Sequence, residues 1–265
     1  MLNGVTIGQY FPGNSPLHKL DPRAKIVLTV LLVAAVFLAK TFSAYALLFA
    51  FVLYCAHLSG IGLNMLWRAV KPVLFIVLIT FALNIFFMPN GNVIFQWMFI
   101  KITDQGLNTA LLLAVRLILL VMSTQLLTLT TSPIELTDGL EWLMNPLSKI
   151  GFPAHELAMM MSIALRFIPT LLEEADKIMK AQMARGADFD SGNLMARAKA
   201  MVPLLVPLFV NAFRRADELA LAMEARCYRG GEHRTRLHVL QFHRMDLVAT
   251  AIVMALCVAM AVMPW

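Results

Sequence analysis

Of the 265 residues, 60% are hydrophobic and 14% charged, and the mean hydropathy is +0.74; soluble domains carry roughly 25% charge, so a water-soluble globular fold is excluded and the chain reads as an integral membrane protein. The net charge of +6 does not signal a nucleic-acid partner, because 14 of the 22 basic residues share residues 132–244 with 13 of the 16 acidic ones and mark a water-facing region. Cys55, Cys227 and Cys257 form an odd set without metal-ligand spacing, which excludes a disulfide framework and a zinc site.

Residues 1–25 are polar and broken by Gly8, Pro12, Gly13, Pro16 and Pro22. A cleavable signal peptide could follow, with Ala44-Tyr45-Ala46 as its small-residue site, but the preamble is long for such a segment and the apolar sequence runs on past that site, so a retained span is expected. Residues 26–58 are apolar except at Lys40-Thr41-Phe42-Ser43. As one helix they would run ~50 Å, too long for a ~30 Å hydrocarbon core, so two spans are predicted, about 26–39 and 44–58. A polar stretch leads to a third span at 72–88 with Pro72 in its first turn. Pro89-Asn90-Gly91-Asn92 reads as a turn and 93–102 as an aromatic interfacial piece around Trp97. The fourth span is about 106–130, and residues 245–265 hold a fifth, at 247–263. N-terminal and C-terminal membrane parts, 1–131 and 245–265, thus flank a section at 132–244.

The positive-inside rule sets the orientation. With the N-terminus inside, 19 basic residues lie on inner flanks and only Lys40 and Lys101 on outer loops. That choice puts 132–244 in the cytoplasm and the C-terminus outside. The cytoplasmic section is helical throughout. Ser132-Pro133-Ile134-Glu135 reads as a capping box with proline at the first helical position, opening a membrane-surface helix with Leu136, Leu140, Leu143 and Leu147 on one face. A helix over 155–185 follows, kinked at Pro169, with Glu173–Lys177 and Asp176–Lys180 pairing at i,i+4 and Gly186 as a left-handed stop. The last long helix covers 194–226, with Pro203 and Pro207 in its apolar half.

These two helices stop alike, at Ala184-Arg185-Gly186 and Ala225-Arg226-Cys227. Aligned on arginines 41 residues apart, they also match Ala175-Asp176 to Ala216-Asp217 and Ala181 to Ala222. A unit used twice points to two similar docking features. An arginine in a last turn can extend an always-charged fork into an acidic pocket, or simply cap its own helix's carbonyls.

Catalytic patterns are weak. His155-Glu156 lacks the second histidine of a zinc helix, and no glycine-rich phosphate loop follows a strand. Glu173-Glu174 resembles the paired glutamates of some membrane proteases, but Lys177 stands where that pattern wants arginine, and His57 has no partner motif. One charge lies deep in a span: Arg116, roughly 15 Å into the fourth helix. It serves as a structural lock, with Asn84 on the third span as its expected partner, or as the site of a self-contained secondary transporter or channel.

Four stretches carry a resemblance: Pro12-Gly13-Asn14-Ser15-Pro16-Leu17-His18-Lys19-Leu20-Asp21-Pro22-Arg23-Ala24-Lys25, Ser162-Ile163-Ala164-Leu165-Arg166-Phe167-Ile168-Pro169, Ala184-Arg185-Gly186-Ala187-Asp188-Phe189 and Pro203-Leu204-Leu205-Val206-Pro207-Leu208. Together they resemble the transmembrane T component of energy-coupling factor (ECF) vitamin importers, along essentially the whole chain. The resemblance implies an all-α integral membrane protein with about five transmembrane helices plus long amphipathic cytoplasmic coupling helices. It also implies a non-catalytic subunit of the bacterial cell membrane, working with two cytoplasmic ATPases and interchangeable substrate-binding S components. ATP and Mg would sit on the ATPases and no cofactor on this chain. The coupling motifs would be Ala184-Arg185-Gly186 and Ala225-Arg226-Cys227, with Cys227 departing from the usual glycine. The transported substrate is not implied, because specificity belongs to the partner.

Overall fold

The computed structural model describes residues 10–87, 93–97, 100–187, 189, 193–230 and 240–262. Among these the architecture is all-α, with eight helices and one short hairpin. The chain divides into two compact units, one formed by Gly8–Gly139 with His238–Trp265 and the other containing Leu140–Leu237.

In the first unit, α1 (Pro22–Leu38) and α2 (Phe42–Leu58) are separated by a break at Ala39–Thr41, where the sequence places it. Asp21 caps α1 by accepting the Arg23 N–H at 2.9 Å, with Pro22 at the first position, where its missing N–H costs nothing. The α3 helix (Leu63–Phe87) begins nine residues before Pro72, which is therefore interior rather than in the first turn. Leu66 and Val70, both buried, continue the apolar spacing backwards through the polar stretch. The proline removes one backbone donor, a loss that a packed membrane helix tolerates.

The segment read as an aromatic interfacial piece pairs as a hairpin. Strands β1 (Val93–Trp97) and β2 (Ile100–Thr103) are antiparallel, with an irregularity between Val93 and Phe95. Thr103 then caps α4 (Asp104–Thr130) by accepting the Gly106 N–H at 3.2 Å, so α4 starts two residues earlier than predicted.

Helix α4 packs against α1, α2 and α3. Its buried Leu119, Met122, Leu126 and Leu129, at helical spacing, meet Val36, Leu48 and Val52 in one core, and buried Ala35, Ala44 and Ala56 contribute small side chains to it. Helix α8 (Arg244–Val262) packs on α1. The two are also tied by Asp246, which is fully buried: one carboxylate oxygen accepts the Asp21 N–H at 2.8 Å and the other the His243 N–H at 2.7 Å. Beside this contact the buried Lys25 ammonium donates to the carbonyls of His18 (2.9 Å) and Thr130 (3.0 Å).

The capping box at the start of α5 (Pro133–Met144) closes both ways. Ser132 N–H donates to Glu135 Oε2 at 3.1 Å, and Glu135 N–H to Ser132 Oγ at 3.2 Å. The boundary between the units falls inside this helix.

The second unit continues through a 3₁₀ turn at Asn145–Ile150 to α6 (Ala154–Ala184) and α7 (Leu194–Ala225), which pack on each other. Pro169 lies inside α6, and Pro203 and Pro207 inside α7.

Among the described residues four helices are long and apolar enough to cross a membrane: Leu63–Ile85, Asp104–Thr130, Ala154–Ala184 and Arg244–Val262; Phe42–Leu58 is a shorter apolar helix. Helix α6 thus meets the length and composition of a span, where the charge distribution predicts a water-facing helix.

Candidate functional site

The two arginine-ended helices terminate in the same backbone motif. At the end of α6, Gly186 N–H donates to the Met183 carbonyl and Ala187 N–H to the Gln182 carbonyl, both at 3.0 Å. At the end of α7, Cys227 N–H donates to Glu224 at 2.9 Å and Tyr228 N–H to Met223 at 3.0 Å. Each is the paired 5→2 and 6→1 pattern of a Schellman cap. Arg185 and Arg226 occupy the cap residues with nearly identical dihedrals, φ −90°, ψ 6° and φ −91°, ψ 12°.

The next residue is left-handed in both, Gly186 at φ 88° and Cys227 at φ 56°. The departure from glycine at Cys227 therefore leaves the cap geometry intact. It does so at a cost, because a side chain in this region is disfavoured by roughly 1–2 kcal/mol.

These backbone bonds bear on what the arginines do. The last carbonyls are held by the backbone N–H groups that follow, so the guanidinium groups are not needed for capping. Ala184, Arg185 and Gly186 are exposed, as are Ala225, Arg226 and Cys227. Among the described residues neither guanidinium makes a hydrogen bond or ion pair. Two exposed, always-charged forks thus stand at matched helix ends beside the negative pole of each helix.

Arg116 is a different kind of arginine. Its Nε donates to Tyr45 Oη at 2.8 Å and its Nη2 reaches the Ala39 carbonyl at 3.4 Å, while the guanidinium lies 5.7 Å from the Phe37 ring and 5.9 Å from the Tyr45 ring. The Tyr45 hydroxyl passes the interaction on, donating to Ala39 at 3.0 Å. Arg116 therefore joins α4 to α2 and to the carbonyl-rich end of α1, where a cation is favoured. Asn84 is not its partner: the Asn84 side chain donates to the Thr80 carbonyl of its own helix at 2.7 Å. An amide side chain can reach the carbonyl one turn earlier in its own helix and satisfy itself locally, whereas Tyr45 is fixed in the core at 2% exposure.

The family model described as a cobalt transport protein, CbiQ, matches residues 13–237, a region that contains both arginine-ended helices. Relatives named energy-coupling factor transporter transmembrane protein EcfT match at high identity. That of Acidaminococcus fermentans is 52% identical across all of this chain and 98% of its own length. The Thermosediminibacter oceani protein is 56% identical over 92% of each chain, and the Bacillus subtilis protein 51% identical over 99% of this chain and 98% of its own. The chain belongs to the EcfT family. It is a transmembrane component of an energy-coupling factor transporter, and the relatives carry the name of a transporter component rather than of an enzyme.

For an EcfT-family chain, the residues that resembled a protease have ordinary roles. Asp176 pairs with Lys180 at 2.6 Å as expected, whereas Glu173 and Lys177 form no pair. Glu174 turns instead to α7, accepting the Asn211 amide and facing Arg215. His155 Nδ1 meets Glu141 Oε1 at 3.0 Å, and His57 is exposed near the end of α2.

Sequence reasoning missed Tyr45 and the partners of Glu174. The available signal for Tyr45 was a lone phenol flanked by alanines just after a helix break, beside a span that holds a charge. For Glu174 there was only its place on a repeated segment.

Proposed function

We propose that this chain is the coupling subunit of an ECF importer, passing ATP-driven motion from two cytoplasmic ATPases to a membrane-embedded substrate-binding S component for uptake of a vitamin or other micronutrient. It is a multi-pass protein of the bacterial cell membrane, with its N-terminus in the cytoplasm and its C-terminus outside, and it performs no catalysis. ATP and Mg reside on the ATPases, and the S component, exchangeable with others, selects the substrate.

One observation carries this reading: two matched helix ends whose carbonyls are capped by backbone, leaving Arg185 and Arg226 exposed and without partners among the described residues. Each arginine enters an acidic groove on one ATPase. Arg116 supports the same reading from the other side, because its Nε and Nη2 bond to Tyr45 and Ala39 and its guanidinium lies against two rings, the contacts of a lock between helices.

The test is charge reversal. Truncating one side of a desolvated charge pair commonly costs ~2–5 kcal/mol, whereas losing an exposed helix-end cation costs ~0.3–1 kcal/mol. Arg185→Glu and Arg226→Glu should each weaken ATPase retention severely while the membrane part still folds, and the double variant should abolish transport. Normal ATPase affinity and uptake in the purified double variant would refute the coupling role of both arginines.

A further inference from the structure

The two repeated segments touch at equivalent positions. Eleven residues before Arg185 stands Glu174, and eleven before Arg226 stands Arg215. These two residues face each other across α6 and α7, with Arg215 Nη2 3.1 Å from Glu174 Oε2. The other carboxylate oxygen, Oε1, accepts an N–H from the side chain of Asn211, one turn before Arg215. Asn211 is oriented in turn, its Oδ1 accepting from Arg214 at 3.4 Å. The Glu174 side chain is 18% exposed and that of Arg215 33%. Glu174 Oε2 itself is shielded from water and makes no aligned hydrogen bond, so the guanidinium charge is what holds it. Asp176 and Lys180, two and six residues further along α6, are engaged with each other and do not compete.

We propose that Glu174, Arg215 and Asn211 are positioning residues that fix the register of α6 against α7, and through it the placement of Arg185 relative to Arg226. The proposal rests on the coupling reading for its functional consequence. Each arginine lies ~16 Å along its own helix beyond the contact, at 1.5 Å per residue. Because the contact joins equivalent positions, the two reaches are equal, and a slip of one helical turn displaces one arginine by ~5.4 Å against the other. Two grooves can then no longer be engaged at once. Among the described residues Glu174 is the carboxylate paired to α7 at this point; a like-charge substitution on either helix repels, while exchanging the two charges restores attraction.

The experiment uses the full chain co-expressed with its ATPases. Spin labels go at Ala181 and Ala222, each four residues before its arginine, after replacement of Cys55, Cys227 and Cys257 by serine. Glu174→Arg and Arg215→Glu should each broaden or shift the inter-label distance and weaken ATPase retention by about tenfold or more, since simultaneous engagement typically adds ~10²–10⁴ in affinity. The exchanged pair, Glu174→Arg with Arg215→Glu, should return both readings toward the parent. Glu174→Gln, which keeps shape and loses charge, gives the same distance readout if the reversals fail to assemble. Distances unchanged in Glu174→Arg and Glu174→Gln, or no recovery in the exchanged pair, would overturn the proposal. Distances that change and recover while ATPase retention stays normal would uphold the positioning role and sink the coupling reading instead.

Discussion

Tyr45→Phe should destabilise the membrane unit more than the loss of one hydroxyl usually does. In the parent, the hydroxyl accepts Arg116 Nε at 2.8 Å and donates to Ala39 at 3.0 Å, at a site only 2% exposed. A hydrogen bond to a charged group is worth ~1.5–3 kcal/mol, and intramembrane bonds average ~0.6 with a maximum near ~1.7, because the unfolded state in lipid finds substitutes. Here the Nε donor has no second acceptor among the described residues, so a value just above the membrane maximum and inside the charged-group range applies, and ~2 kcal/mol is expected. For a chain of this size that lowers the melting midpoint by roughly 4–8 °C.

Arg116→Leu should cost about the same, since it removes the bond and the ring contacts but also a half-buried charge. The double variant should then cost little more than either single one. A coupling of about 1.5–2 kcal/mol is predicted for residues sharing one network. Thermal unfolding of the four proteins in one detergent measures the cycle. Additivity within ~0.5 kcal/mol, or a neutral Tyr45→Phe, would refute the reasoning. Arg116→Leu should leave coupling qualitatively intact wherever the complex assembles, and a variant of normal stability with lost transport would make Arg116 part of a substrate path.

Two further outcomes follow from the helix ends and the charge distribution. Cys227→Gly should stabilise α7 by ~0.5–1 kcal/mol, the roughly 1–2 kcal/mol of left-handed strain less the glycine's greater entropy when unfolded; an unchanged or lower melting midpoint would contradict it. For orientation, a cysteine at Asn92, which lies outside the described residues, should react with an impermeant thiol reagent in intact cells and one at Asn193 should not, and labelling at Asn193 alone would invert the topology.

The local grammar of the helices was legible in the sequence. Pro22 after Asp21, the Ser132–Glu135 box, the break at Lys40 and the stop at Gly186 all act within a few residues, and each takes the conformation its chemistry demands. Pro72 was misplaced because a proline is tolerated both at a helix start and inside a packed membrane helix, and only the burial of Leu66 and Val70 decides between them. The hairpin ahead of α4 escaped for a related reason, since four or five apolar residues suit a strand or an interfacial segment equally. Side-chain partners were the least legible part. Arg116 and Tyr45 are 71 residues apart and Glu174 and Asn211 are 37 apart, distances at which residue spacing carries no information about contact. The arginine ends were found because repetition makes a long-range feature visible twice. Whether those arginines capped their own helices could be decided only from the backbone bonds around them.

The Asp246 contact sets a timetable for biogenesis. Its partner Asp21 lies 225 residues earlier in the chain, so at ~5–20 residues per second the ribosome needs about 10–45 s after making the first helix before the residue that secures its start exists. During that interval the Asp21 N–H has no carboxylate to bind, and the groove beside α1 awaits a helix still to be synthesised. A nascent chain cut short before α8 would leave the Asp21 N–H without this carboxylate and uncover the face of α1 on which α8 packs.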